Sequence, residues 1–260
     1  MGGRRSDGGQ PAVVQPGQRR PALRTQAAGL ARSPAHGRTP LSAARKPGRG
    51  IEPAYDPVTI SESDGVRYLH LGSEWVQGAM RIRRPFDLEI DYTRDMMAWE
   101  GLVESPSHIV QLGLGAASLT KYCWRQYPQA QITAVELNPQ VIACARQFFK
   151  LPADDARLGV VQADALAWIA NPRRKASIDV LQVDLYDATA SGPVYDGEDF
   201  YAACRKSLAP GGVMTVNVFG RGWGFEDSFA AVFAAFGGRC EALAPVDAGN
   251  RIIVAQKLPA

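Results

Sequence analysis

The chain has 260 residues, 46% of them hydrophobic, and a formal net charge of +3, which suits one substantial domain with at most a small annex. No apolar run is long enough to cross a bilayer and no cleavable hydrophobic leader is visible, so neither a membrane span nor secretion is expected. Residues 1–50 carry ten Lys or Arg against the single acid Asp7, leaving 19 bases and 25 acids, a balance of −6, on the other 210; that mildly acidic remainder gives no support to a nucleic-acid surface.

In chain order, residues 1–50 are rich in Gly, Pro, Ser, Ala and Arg and show no sustained helical or strand period, so a disordered, dispensable basic tail is expected there. Its Arg-rich, acid-poor make-up is also that of an organellar leader, but Pro16, Pro21, Pro34 and Pro40 interrupt any amphipathic helix. Residues 51–104 read as a small antiparallel sheet with a linking helix. Short alternating segments around Val58–Ile60, Val66–Leu71 and Trp75–Ile82 are separated by the turn signals Ser63-Asp64-Gly65 and Gly72-Ser73-Glu74, and a helix is expected from about Tyr92 to Val103. Residues 105–260 alternate apolar runs with helical stretches, the pattern of parallel strands with crossover helices. Seven strands are expected: His108–Leu112, Ile132–Glu136, Leu158–Gln162, Ile178–Asp184, Val213–Val218, Arg239–Leu243 and Arg251–Gln256. The fold class is therefore α/β, a Rossmann-like seven-stranded sheet of the methyltransferase type preceded by a small antiparallel sheet.

Cys123, Cys144, Cys204 and Cys240 are widely spaced and have no CxxC pair or histidine at ligand spacing, so free buried thiols in a reducing, cytoplasmic setting are expected, with no metal site. His70 and His108 lie in expected strands without evident partners, and Tyr122, Trp124 and Tyr127 read as packing residues.

The chemistry gathers at the strand ends. The first strand of the main domain runs into Gly113-Leu114-Gly115, where glycine lets the backbone turn sharply and come close to a ligand at a helix N-terminus. Ser118 occupies the place of the third glycine of a dinucleotide fingerprint, which disfavours a pyrophosphate-binding NAD site. Glu136 ends the second strand, 23 residues after Gly113, where a carboxylate can accept both hydroxyls of a ribose. Asn138 and Pro139 would cap and open the helix behind it. Asp164, after the third strand, is placed both to accept from an adenine amino group and to cap the next helix. Asp184 and Asp187 stand three residues apart at the carboxyl end of a central strand, where such sheets bind ligands, and are the best catalytic candidates; Asp179, at the opposite end, reads as a solvated charge. Tyr186 and Tyr195 flank these acids as candidate pocket walls.

Taken in order, Gly-Leu-Gly, Val-Glu-Leu-Asn, Gln-Ala-Asp-Ala, Asp-Val-Leu-Gln-Val-Asp-Leu-Tyr-Asp and Leu-Ala-Pro-Gly-Gly, over about residues 55–220, resemble the spermidine synthase (polyamine aminopropyltransferase) family. The small leading sheet with Trp75-Val76-Gln77 strengthens that resemblance over one to methyltransferases in general. It implies transfer of an aminopropyl group from decarboxylated S-adenosylmethionine to an amine such as putrescine, with no metal and with a homodimer as the family's common state. Glu136 would then hold ribose, Asp164 adenine, Asp184 the attacking amine and Asp187 the aminopropyl or polyamine end, with Gln77 on the nucleoside and Gly113 and Gly115 at the cofactor. The sequence departs from the family at two places. Ala116 stands where an acid grips the donor's amino end, and Thr93-Arg94, beside Tyr92, stand at about the place of a Tyr-His pair. Arg94 in the pocket would repel a polyamine and attract the carboxylate of intact S-adenosylmethionine or of an acidic acceptor. Two alternatives follow: a methyltransferase using S-adenosylmethionine, and a catalytically silent protein that binds an adenosyl ligand.

Overall fold

The computed structural model describes residues 55–187, 189, 192–219 and 224–259; the expected basic tail lies outside these. The chain begins with three antiparallel strands, β1 Val58–Ser63, β2 Val66–Leu71 and β3 Val76–Arg81, in the order β1-β2-β3. Asp64 and Gly65 make the first turn at φ 50° and 75°, the left-handed pair whose twist suits a two-residue hairpin and for which Asp-Gly is a favoured sequence.

The expected single helix over Tyr92–Val103 is instead two pieces. Helix α1, Asp91–Asp95, is followed by a 3-10 turn at Ala98–Gly101. The Met96 carbonyl, which an unbroken helix would offer to residue 100, accepts instead from Gln182 Nε2 and Thr215 Oγ1, each at 3.1 Å. The Glu100 amide turns to Met97, and the helix ends because the sheet takes its carbonyl.

The main sheet holds β4 His108–Leu112, β5 Gln131–Glu136, β6 Leu158–Gln162, β7 Ile178–Val183, β8 Leu208–Phe219, β9 Cys240–Ala242 and β10 Asn250–Gln256 in the order β6-β5-β4-β7-β8-β10-β9. Helices α2 Ser118–Gln126, α3 Pro139–Phe148, α4 Ala165–Ile169, α5 Glu198–Ser207 and α6 Phe225–Phe236 connect the strands. The first five strands are parallel, whereas β10 runs antiparallel to both its neighbours. Successive residues of each central strand serve opposite cores. Ile109, Val180, Val213 and Ile252 face the side of α2, α3 and the small sheet, while Val110, Leu181, Met214 and Ile253 face α4, α5 and α6. Burial on both faces is why these strands read as continuous apolar runs.

Two details refine the expected elements. Leu208 pairs with Ile178 and Val213 with Val180, so the Ala209-Pro210-Gly211-Gly212 turn is a bulge within β8, with Gly211 at φ 81°. Asp179 is not a solvated charge. Its Oδ2 accepts from the amides of Ser107 and His108, at 2.8 and 3.0 Å, and pins the entry of β4. His108 also bonds Thr133 and the Ser177 carbonyl, and His70 bonds Ser61 and the Trp75 carbonyl. All four cysteines are free, three of them buried.

Sequence order reverses at β4, whose neighbours are β5 and β7. Parallel sheets open a crevice at the carboxyl ends of the strands at such a point, and the small sheet closes over it. Ser118 Oγ donates to the Ala79 carbonyl at 3.0 Å, and a Cβ at Gly78 would stand 2.7 Å from that of Ala116. Glycine at 78 is what lets β3 lie directly on the turn that follows β4.

Candidate active site

A cavity of about 700 Å³ opens at this crevice. Its floor is the Gly113-Leu114-Gly115 turn, on which Gly113 stands at φ 94° and Gly115 at φ 50°. A Cβ on Gly113 would lie 2.1 Å from the Asp184 carbonyl oxygen, and one on Gly115 would lie 3.1 Å from the Gln77 carbonyl. Both glycines are required by close backbone approach as well as by conformation.

Glu136, at the end of β5, takes the Leu114 amide on one carboxylate oxygen at 3.1 Å and the Asn138 amide on the other at 2.9 Å. Burial raises its pKa, and these amides oppose the rise. Asp164 does cap α4, accepting the Ala167 amide at 2.8 Å, while its other oxygen receives the Tyr195 hydroxyl. Tyr195 stacks on Phe200 with ring centroids 5.4 Å apart, so it forms a braced wall beside Asp164.

Asp184 leaves the end of β7 between two donors. The Tyr92 hydroxyl donates to Oδ2 at 3.0 Å and Asn217 Nδ2 to Oδ1 at 2.8 Å. Burial raises the Asp184 pKa and the two hydrogen bonds pull it back. The same burial, together with the Asp184 charge, holds the Tyr92 phenol well above its ordinary range. Asp187 is exposed at the mouth, where its carboxylate accepts from the Thr189 amide and hydroxyl at 2.9 and 2.6 Å and its carbonyl accepts from Gln77 Nε2 at 3.2 Å. Tyr186 acts as a staple near Asp184: its hydroxyl donates to the Asn217 carbonyl and accepts the Phe219 amide.

The structure thus brings Gln77, Gly113, Gly115, Glu136, Asp164, Asp184, Tyr186, Asp187 and Tyr195 to one cavity. Arg94 is the exception. It is exposed on the far side of α1, paired with Asp91 and bonded to the Glu89 carbonyl, and it does not line the cavity. Two residues the sequence reading left unassigned, Tyr92 and Asn217, hold the central carboxylate. Tyr92 lies beside the pair considered for that place, and Asn217 is a buried polar residue near the end of a mostly apolar strand. The described lining includes Asp56, Glu74, Glu136, Asp164, Asp184 and Asp187 and no Lys, Arg or His. Among the described residues no group of three or more His, Cys, Asp or Glu is placed to hold a metal ion, and no helix is long and apolar enough to cross a membrane.

A spermine/spermidine synthase domain matches residues 104–223. The chain is 34% identical over 210 residues to the polyamine aminopropyltransferase of Chromobacterium violaceum, covering 80% of each protein. This chain belongs to the polyamine aminopropyltransferase family. The Neisseria meningitidis polyamine aminopropyltransferase is 33% identical over 216 residues, with 82% of this chain and 81% of that protein covered. In fold, the chain matches a probable spermidine synthase from Corynebacterium glutamicum with a TM-score of 0.68 at 23% identity, over 81% of each chain. Family membership makes the protein a transferase of aminopropyl groups, and neither the methyltransferase nor the silent-binder alternative is favoured.

Proposed function

We propose that the protein transfers the aminopropyl group of decarboxylated S-adenosylmethionine to a diamine such as putrescine, releasing 5′-methylthioadenosine. The observation that carries this reading is the charge of the cavity wall: six carboxylates and, among the described residues, no cationic side chain. Such a wall favours a sulfonium bearing an ammonium and an acceptor bearing two ammoniums. It offers nothing to the carboxylate of intact S-adenosylmethionine. With Arg94 outside the cavity, the argument that residue made for an intact donor falls away.

In this reading Glu136 accepts the ribose hydroxyls and Asp164 the adenine amino group, between Tyr195 and the glycine turn. Asp187 and Gln77, already linked at the mouth, meet the chain of the amine. Asp184 binds the attacking ammonium and takes its proton. An ordinary amine has a pKa near 10 and is almost wholly protonated at pH 7, so a carboxylate with a raised pKa in a partly dry site is well suited to receive that proton. The nitrogen lone pair then forms the new C–N bond, the carbon–sulfur bond breaks, and its electron pair leaves the sulfonium as a neutral thioether. The donor supplies the activated carbon; the protein supplies alignment and the proton acceptor.

Incubation with decarboxylated S-adenosylmethionine and a diamine is expected to release methylthioadenosine. Asp184→Asn should lower kcat about 100-fold or more while the donor still binds. Release of S-adenosylhomocysteine from intact S-adenosylmethionine, with no methylthioadenosine from the decarboxylated donor, would contradict the proposal.

A further inference from the structure

The hydrogen-bond chain at Asp184 extends one strand further than the site described so far. Asn217 Oδ1 accepts from Asn250 Nδ2 at 2.9 Å, and both asparagines are buried, 3% and 7% exposed. Asn250 opens β10 directly opposite Phe219, and Asn217 lies opposite Ile252, so the two asparagines are diagonal neighbours on one face of the sheet. Asp184, just past the end of β7, and Asn217 and Asn250, on β8 and β10, therefore form one hydrogen-bonded row. The third lies beyond the matched domain, which ends at residue 223.

A carboxamide has a donor end and an acceptor end, and at Asn217 the choice between them matters. With Nδ2 toward Asp184 it attracts the carboxylate. Flipped, it would set an oxygen against that carboxylate and face its own NH₂ against that of Asn250, two mismatched pairs in a buried place. Asn250 is the donor that fixes the productive orientation. The backbone of Asn217 is held separately, because Tyr186 bridges its carbonyl to the Phe219 amide.

We propose that Asn250 and Asn217 form a positioning relay for Asp184: Asn250 orients the Asn217 amide, and Asn217 together with Tyr92 holds the carboxylate with its remaining lone pairs toward the attacking amine. The inference rests on the aminopropyl-transfer reading of the site. The titratable groups facing Asp184 are the phenols of Tyr92, from α1, and Tyr186, from the loop after β7; no Lys, Arg or His joins them among the described residues of the cavity. Loss of the Asn217 hydrogen bond removes an influence that holds the Asp184 pKa down, so the acid limb of activity should move to higher pH.

The test combines pH profiles of kcat/KM with carboxyl ¹³C titration of aspartate-labelled protein, the Asp184 signal being assigned with Asp184→Asn. Asn250→Ala and the near-isosteric Asn250→Leu should each lower kcat about tenfold, leave donor affinity within about twofold, and raise the Asp184 midpoint. Asn217→Ala should do the same more strongly, and Asn217→Ala/Asn250→Ala should match Asn217→Ala alone, because Asn250 acts through Asn217. An unmoved Asp184 midpoint in both Asn250 variants, or an Asn250 effect undiminished in the Asn217→Ala background, would overturn the relay. Absence of methylthioadenosine from the wild type would instead remove the aminopropyl reading, and the carboxyl titration would still decide the relay.

Discussion

At Asp184 burial and hydrogen bonding pull in opposite directions, and both are needed. Burial favours the protonated carboxyl, while the hydrogen bonds from Asn217 and Tyr92 favour the carboxylate. Glu136 shows the same opposition with a different outcome. Its partners are backbone amides of the turns after β4 and β5, so it is held as a fixed acceptor in the cavity wall. Glu136→Gln keeps the shape and removes the charge-assisted bonds to a ribose, each worth about 1.5–3 kcal/mol. The donor KM should rise about tenfold or more, with kcat changed less than about threefold. Equal loss in kcat, measured by initial rates at saturating donor, would mean that Glu136 acts on the transition state.

Among the elements, the turn after β4 is fitted closely to strand β3 through Gly78 and Gly115 and to the end of β7 through Gly113, each glycine admitting a neighbour where a side chain would stand. Gly113→Ala adds a Cβ against the backbone of Asp184 at a left-handed φ. It should destabilise the protein by about 3 kcal/mol or more, read as a lower urea midpoint, together with loss of donor binding. An unchanged midpoint would show that the turn yields freely. The strands and the glycine turn were legible in the sequence because their causes are local: two-sided burial writes continuous apolar runs, and close approach writes glycine. The break at Met96 was not legible, since Gln182 and Thr215, the residues that take its carbonyl, lie 86 and 119 positions away. Arg94 and Tyr92 were confused for a similar reason. Two steps along a helix rotate a side chain by about 200°, and sequence spacing alone does not say which face of so short a helix meets the cavity. Asn217 carried a signal, a polar residue in a mostly apolar strand, but its partner Asn250 becomes visible only once β10 is known to lie against β8.

Across the molecule, the core beneath the small sheet contains one charge-bearing group that the proposed chemistry does not use. Lys121 on α2 is 1% exposed, and its Nζ donates to the Phe149 carbonyl at 2.7 Å. Burial lowers its pKa to about 7. The folded protein therefore binds this proton more weakly than the unfolded chain does. The destabilisation is full below pH 7 and is relieved as pH rises from about 7 toward the ordinary lysine range. Between about pH 8 and 9 the wild type should gain about 1.4 kcal/mol of stability per pH unit relative to Lys121→Met, the worth of one pKa unit, in urea unfolding followed at several pH values. A constant difference between the two proteins would show that Lys121 stays charged in the fold.

The acidic cavity wall bears on more than the entry of substrates. Under aminopropyl transfer the acceptor arrives with two ammoniums and departs with three amino groups, while the donor's sulfonium becomes an uncharged thioether. The same wall that draws reactants in thus loosens its hold on the spent nucleoside and tightens it on the lengthened polyamine. The lengthened polyamine is therefore expected to inhibit more strongly than methylthioadenosine, which initial rates with each product added would check.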